Sequence, residues 1–251
     1  ELKVPVYFYG YGEDRTLADI RARRVRPSLG GPGLHPTAGA VCVGARLALV
    51  AFNVLLPGAD LVSARALARS LRESAGGVRG VQALVFALPG GRLQLSMNLY
   101  RTDETPPSAA ISELQRRGVP LGAQQLVGLC PALAANAAAS GRILEARLVS
   151  AAAGAAARRC ADFGSSELKA LAVRLWREAE GMFRLGFDQD SLLAGAERAA
   201  ALIPVLHAAG IRDPELDAML GAAARGLRAA ITVGTEAAHR ARMNALDARL
   251  K

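Results

Sequence analysis

The 251-residue chain is long enough for one or two domains that each bury a substantial core. Hydrophobic residues make up 51% of it, which excludes a disordered protein, and no apolar run reaches the ~18 residues of a membrane-spanning helix. The formal charge is +9, but the Arg residues are scattered and aromatic residues are only 4% of the chain. Because the basic residues are scattered and aromatic residues for stacking bases are few, we do not expect a nucleic-acid-binding protein. Because no apolar run is long enough, we do not expect a membrane protein.

A loop rich in Gly and Pro, residues 31–40, runs directly into an apolar, strand-like segment. Gly lets a backbone approach a neighbour closely, and each Pro stiffens the chain. The loop therefore predicts either a rigid connection between domains or a surface built to hold a ligand. The basic cluster at residues 21–26 precedes it, and this cluster is either solvated surface or a means of steering an acidic ligand.

Residues 46–135 predict the order strand, helix, strand, strand, helix, strand. The strands are expected at residues 46–56, 81–88, 92–100 and 120–129. Asp60 or Ser63 caps a helix that stops at Gly76-Gly77, and a second helix covers residues 109–117. This βαββαβ order is typical of the ferredoxin-like arrangement, so the expected fold class is α+β.

Beyond about residue 135 the sequence predicts Ala-rich amphipathic helices packed as a bundle. Ser166 is the expected N-cap of a first helix, Asp190 that of a second, and Asp213-Pro214 opens a third. Pro204 is expected to kink the second helix and Gly210 to end it, while Thr235 caps a fourth. The predicted domains are residues 1–45, 46–150 and 151–251, with the helical tail serving a structural or oligomerising role, which favours a homo-oligomer.

The three Cys residues, Cys42, Cys130 and Cys160, are far apart and match no zinc or redox spacing. We interpret them as free thiols of a protein in the reducing cytoplasm, with no metal site. His207 and His239 lie in helical segments without a second ligand nearby, and we interpret both as packing or surface residues.

Several unusual words occur in one order along residues 3–135. They are PVYFYG at residues 5–10, GPGLHPTAGA at 31–40, VGAR at 43–46, VAFN at 50–53, SMNL at 96–99 and QLVGL at 125–129. Together they resemble the glutamate formimidoyltransferase family. Gln124 departs from the family, which has a small residue at this position, and this departure affects the expected lining of the pocket.

The resemblance implies an enzyme that transfers a formimino group from N-formimino-L-glutamate to tetrahydrofolate in histidine degradation. It also implies that residues 1–45 are the end of a first subdomain and that the catalytic base lies outside this chain. The alternative is a shortened, non-catalytic paralogue that binds folate or serves in assembly. An in-frame upstream coding sequence for the rest of the first subdomain would favour the enzyme.

The resemblance assigns the loop to the folate site, with His35 as a ligand contact rather than the base. Arg46 could pair with a carboxylate, or form a structural salt bridge. Asn53 and Asn98 could donate amide hydrogen bonds to the ligand, or simply face solvent. The folate-binding residues expected from the resemblance are Gly31, Pro32, Gly33, Leu34, His35, Pro36, Thr37, Ala38, Gly39, Ala40, Arg46, Asn53 and Asn98.

Overall fold

The computed structural model describes the backbone of residues 2–10, 12–161 and 164–249, and side chains as far as residue 233. The chain divides into two compact units, Glu1–Leu47 and Ala48–Lys251. The described strands are β1 (Val6–Gly10), β2 (Val41–Ala45), β3 (Val50–Leu55), β4 (Val81–Ala87), β5 (Leu93–Leu99) and β6 (Gln124–Val127). The described helices are α1 (Leu17–Arg21), α2 (Leu61–Leu71), α3 (Pro107–Arg116), α4 (Leu144–Ala161), α5 (Ser166–Phe183), α6 (Gln189–Ala208) and α7 (Pro214–Arg249).

The first unit contains the parallel strand pair β1–β2 with helix α1 in the connection between them. Parallel strands need a long crossover, and α1 with the loop at residues 31–40 supplies it. A capping box starts α1, because the Thr16 side chain accepts from the Asp19 N–H and Asp19 accepts from the Thr16 N–H. Gly44 on β2 lies opposite Tyr9 on β1, and a Cβ at residue 44 would lie 2.5 Å from the Tyr9 ring. The ring therefore requires a glycine in the VGAR word.

The second unit begins with a four-stranded antiparallel sheet in the order β4-β5-β3-β6. Helix α2 connects β3 to β4 and α3 connects β5 to β6, so the mixed α+β class is confirmed. The first strand starts at Val50 rather than at residue 46, because residues 46–49 form the connection to β2. The hairpin between β4 and β5 turns at Pro89–Gly91, with Gly90 at φ 77°.

The two faces of this sheet differ in burial. Along β3 and β5 every second side chain is buried, from Val50 to Val54 and from Leu93 to Leu99. The buried side chains share one core with Ala64, Ala68 and Leu71 of α2 and with Leu114 of α3. The alternate side chains form the opposite face, which is partly or fully exposed and carries most of the polar groups of the sheet.

Helices α4 to α7 complete the second unit, and their buried residues continue the core of the sheet. The sequence analysis missed α4, and its third and fourth tail helices are one continuous helix, α7, in whose interior Thr235 lies. The N-caps expected for two of the tail helices were also wrong, by one and by two residues. Ser165, not Ser166, accepts from the Leu168 N–H, and Asp188, not Asp190, accepts from the Ser191 N–H.

The remaining tail features follow the sequence. Pro204 lies inside α6, Gly210 follows the end of that helix at φ 78°, and Pro214 is the first residue of α7. All three Cys residues are free thiols; Cys42 is exposed, whereas Cys130 and Cys160 are buried. In the part of the chain that the structure describes, no helix is long and apolar enough to cross a membrane. Within the same residues, no three His, Cys, Asp or Glu side chains are grouped as metal ligands.

Candidate functional site

The Gly- and Pro-rich loop folds back on itself at its centre. His35 and Gly39 form an antiparallel bridge in which each backbone N–H donates to the other carbonyl, at 2.8 and 2.9 Å. Gly39 takes φ 68°, a conformation that other residues rarely adopt. This bridge makes residues 35–39 a tight turn whose shape depends on bonds inside the loop.

The His35 side chain closes this turn. Its Nδ1 accepts from the backbone N–H groups of Thr37 and Ala38, at 3.3 and 3.1 Å. In a neutral imidazole only one nitrogen accepts, so the proton lies on Nε2. His35 is partly exposed, and its Nε2–H is the donor that the loop can offer to a ligand.

Gly31 and Gly33 lie in the exposed first half of the loop. A Cβ at either position would meet no heavy atom of the described residues within 4 Å, and neither glycine has a positive φ. Packing and backbone conformation within the chain therefore do not require glycine at these two positions.

Arg46 lies immediately after β2 and is exposed. Among the described residues it has no ion-pair partner, so the structural salt bridge considered for it is not formed there. The loop and Arg46 belong to the first unit, whereas Asn53 and Asn98 belong to the second. The structure thus groups the loop residues, and separately the two Asn residues.

Asn53 and Asn98 lie on the partly exposed face of the sheet. Asn53 faces Ser96 across β3–β5 and donates from Nδ2 to Oε1 of Gln125 on β6, at 3.3 Å. Asn98 is exposed and faces Gln82 across β4–β5. The two Asn residues thus lie in neighbouring cross-strand rows of polar groups, Gln82–Asn98 on β4 and β5 and Ser96–Asn53–Gln125 on β5, β3 and β6.

Three members of these two rows, Gln82, Ser96 and Gln125, were not proposed as ligand contacts by the sequence analysis. The signal that identifies them is the two-residue alternation of the strands, which places them on the same face as Asn53 and Asn98.

A hydrogen-bonded pair with perturbed pKa values lies just after the end of β5. Tyr100 donates from its hydroxyl to Glu73, which also accepts from the Gly80 N–H at 3.1 Å. Desolvation, together with the carboxylate, raises the pKa of Tyr100 to about 12, and the hydrogen bond from Tyr100 lowers the pKa of Glu73. These contacts hold the turn after α2 against the sheet, and we interpret the pair as structural.

The two helical His residues have different outcomes. Nε2 of His207 on α6 lies 2.8 Å from an Asp217 carboxylate oxygen on α7, so this side chain joins two helices as a packing residue. The side chain of His239 lies outside the described residues.

No protein-family model matches the chain. It is 33% identical over 159 residues to the glutamate formimidoyltransferase of Streptococcus pyogenes serotype M1, which covers 53% of this chain and 52% of that protein. It is 32% identical over 154 residues to the glutamate formimidoyltransferase of Thermoplasma acidophilum, covering 52% and 50% of the two chains. The formimidoyltransferase-cyclodeaminase of Gallus gallus is 33% identical over 159 residues, covering 52% of this chain and 29% of that protein.

These comparisons show that about half of the chain is similar to formimidoyltransferases. Over that half, the similarity is to proteins named glutamate formimidoyltransferase and to the corresponding part of a formimidoyltransferase-cyclodeaminase. The chain spans about half the length of the glutamate formimidoyltransferases that it matches.

Proposed function

We propose that the protein to which this chain belongs transfers a formimino group from N-formimino-L-glutamate to tetrahydrofolate, in histidine degradation. The observation that carries this proposal is the 33% identity to a glutamate formimidoyltransferase over 159 residues. The reaction must hold two acidic substrates in line, remove a proton from the attacking amine and stabilise a tetrahedral intermediate. We assign no catalytic base to any residue of this chain.

We propose that the sheet of the second unit, with α2 and α3, is a ferredoxin-like subdomain. The βαββαβ order, the antiparallel pairing and the strand order β4-β5-β3-β6 support this assignment. The proposed domains remain residues 1–45, 46–150 and 151–251.

We propose that residues 31–40 form the folate-binding loop. The open space at Gly31 and Gly33 supports this role, because a ligand can approach the backbone there. The fixed Nε2–H of His35 supplies a directed donor. The guanidinium of Arg46, which is exposed and forms no ion pair with the residues that the structure describes, can bind a carboxylate with two parallel hydrogen bonds.

Asn53 and Asn98 are the proposed amide contacts on the sheet. Each amide can both donate and accept, as recognition of a pterin ring requires, and the Asn53–Gln125 bond holds one of them in place. Asn98 is exposed, so a ligand bound on this face would displace water from its amide and take over the hydrogen bonds.

We further infer a cytoplasmic homo-oligomer. Three free thiols support a reducing compartment. Apolar side chains that remain exposed on α6 and α7, Leu193 at 45% and Val233 at 47%, support contacts with another copy.

Calorimetric titration with 5-formyltetrahydrofolate, a stable reduced folate, tests the folate site. We expect saturable binding to the chain that is at least about tenfold weaker in the His35→Ala/Arg46→Ala double variant. Arg65→Ala, which removes an equal charge from an exposed position on α2, is the control and should bind like the parent chain. Equal affinity in the double variant, or equal loss in the control, would contradict the assignment of the loop.

A further inference from the structure

A cleft of about 520 Å³ lies between α4 and α5, within the second unit. One stripe of α4 forms its floor with small residues, including Ser150 and Gly154, spaced so that they share a helix face. Trp176 and Phe183 line the α5 side and are 52% and 51% exposed. The proposed folate-binding residues play no part in this cleft.

Three guanidinium groups surround the cleft, those of Arg147, Arg158 and Arg184. Among the described residues none of the three forms an ion pair. The lining includes one acidic side chain, Glu180, so the cleft carries an excess of two positive charges. Three cations with a single acid in one cleft leave a positive potential that favours an anion.

The aromatic side chains give the cleft a second property. Arg147 lies over the Phe183 ring, 5.1 Å from its centroid, and this cation–π contact holds its guanidinium at the edge of the cleft. Trp176 presents an indole that is half open to solvent beside Arg158. A flat ring can stack on an exposed indole, and a guanidinium fork can bind carboxylate or phosphate oxygens beside it.

We propose that this cleft binds a planar aromatic ring that carries two or more negative charges. The ring stacks against Trp176, and Arg158 and Arg184 bind its anionic groups. A second copy of the chain fits this face poorly, because a two-fold contact would bring the same three cations of each copy together. Nucleoside phosphates and aromatic polycarboxylates share the required chemistry, and the experiment separates them.

Trp176 is the only Trp of the chain, so its fluorescence reports on the surroundings of this one side chain, in the cleft and in the adjoining groove that it also lines. We would titrate the full chain with ATP and with benzene-1,2,4,5-tetracarboxylate, two rings with different anionic groups. Adenosine provides a ring without charge, and tripolyphosphate provides charge without a ring. We expect saturable quenching by at least one of the two aromatic anions, at a concentration at least about tenfold below that of adenosine or tripolyphosphate.

Variants decide which side chains are responsible. Arg158→Gln/Arg184→Gln should weaken binding at least about tenfold, whereas Arg65→Gln/Arg69→Gln on α2, with the same loss of charge, should change it less than about twofold. Glu180→Gln should tighten binding, because it removes the acid of the cleft. Calorimetry of the Trp176→Phe variant should show that the aromatic anion still binds, but more weakly than to the parent chain, because the Phe ring offers a smaller stacking surface.

Four results would overturn the proposal. They are equal effects of the two double Arg variants, binding of tripolyphosphate as tight as that of the better-bound aromatic anion, binding of adenosine as tight as that of the same anion, and absence of quenching by both aromatic anions. A Trp176 emission that shifts with protein concentration and is unaffected by anions would instead identify the face as a contact between copies. Variants of His35 and Arg46 should leave this site unchanged, so its failure and that of the folate site are distinguishable.

Discussion

Nδ1 of His35 accepts a hydrogen bond from the backbone N–H of Ala38, at 3.1 Å. The same nitrogen faces the Thr37 N–H, so one side chain satisfies two donors of the turn. A bond of this kind sets both the shape of the loop and the tautomer of the ring.

His35→Asn and His35→Gln separate these two roles. The Asn oxygen can take the place of Nδ1, whereas the Gln amide extends toward the position of Nε2. We expect amide hydrogen exchange at Thr37 and Ala38 to stay slow in His35→Asn and to accelerate several-fold in His35→Gln. Long-range ¹H–¹⁵N spectra of the parent chain should show the proton on Nε2. Equal exchange in both variants would contradict the role of Nδ1.

Tyr100→Phe should lower the free energy of unfolding by about 1 kcal/mol at pH 7, the usual contribution of a partly exposed hydrogen bond. The loss of stability caused by Tyr100→Phe should depend on pH in both the acidic and the alkaline range. The lowered pKa of Glu73 means that the bond stabilises the fold above the ordinary carboxyl pKa and is lost as the pH falls through the pKa of the folded state. The raised pKa of Tyr100 means that stability is complete below the unfolded pKa of ~10 and is lost as the pH rises toward about 12.

Urea unfolding of the parent chain and the Phe variant between pH 3 and pH 11 tests this profile. The difference between them should form a plateau at neutral pH and shrink at both limits. Glu73→Gln is the control, since it keeps an acceptor for Tyr100 but should remove the acidic limb and reduce the alkaline limb to the part that desolvation of Tyr100 causes. A difference that is constant over the whole pH range would rule out the charged bond.

Glu145 on α4 is a partly buried carboxyl that accepts from the Ala132 N–H at 2.8 Å. Burial raises its pKa, so the folded state holds this proton more tightly than the unfolded state. Stability is therefore greatest below the ordinary carboxyl pKa and decreases as the pH rises through the folded pKa. Glu145→Gln should remove this decrease and stabilise the chain at pH 7 by roughly 1 kcal/mol. Thermal unfolding of the parent chain and of Glu145→Gln at pH 4 and pH 7 measures this stabilisation. An equal effect of the substitution at both pH values would refute the raised pKa of Glu145.

Thiol labelling should distinguish the three Cys residues. Burial, with a smaller effect of the Glu145 charge, raises the pKa of Cys130 to about 12, and burial also raises the pKa of Cys160. Labelling requires a thiolate that the reagent can reach. At pH 8 an aromatic disulfide reagent should label Cys42 within minutes and the two buried thiols only upon unfolding. Cys42→Ser should abolish the fast phase; fast labelling of Cys130 would show that this part of the core opens readily.

The sheet could be predicted from sequence because polar and apolar residues alternate along its strands. From Leu93 to Leu99 every apolar residue is followed by a polar one, and this period of two identifies both the strand and its buried face. The same alternation places Asn53 and Asn98 together on the other face. Helix α4 could not be recognised in this way, because Ala occupies both its buried and its exposed positions, so that polarity does not mark the buried face.

Other features depend on geometry that no spacing specifies. The Nδ1 contacts of His35 require the backbone of the next three residues to turn toward the ring. Helix α7 continues through Gly234-Thr235, although this pair is typical of a stop and a new cap. The cleft between α4 and α5 exists only once the two helices lie side by side.

Two glycines of α7 offer a matched test of how this helix packs. At Gly226 a Cβ would lie 2.8 Å from Cγ of Glu145 on α4, whose carboxylate is held by Ala132. At Gly221 a Cβ would meet only the end of the Arg225 side chain, at 3.3 Å. Gly221→Ala should therefore stabilise the chain by up to about 1 kcal/mol through helix propensity. Gly226→Ala should destabilise it by about 1–3 kcal/mol, since α4 and α7 would be forced apart.

Chemical denaturation of both variants followed by circular dichroism gives the two free energies. The sign of the difference is the result that matters, because both substitutions carry the same gain in propensity. If Gly226→Ala were as stable as Gly221→Ala, the close approach of α7 to Glu145 would be wrong. The Gly226→Ala/Glu145→Gln double variant adds a second check. Because Gln is as large as Glu, it should keep the cost of the added methyl group and remove only the dependence on pH.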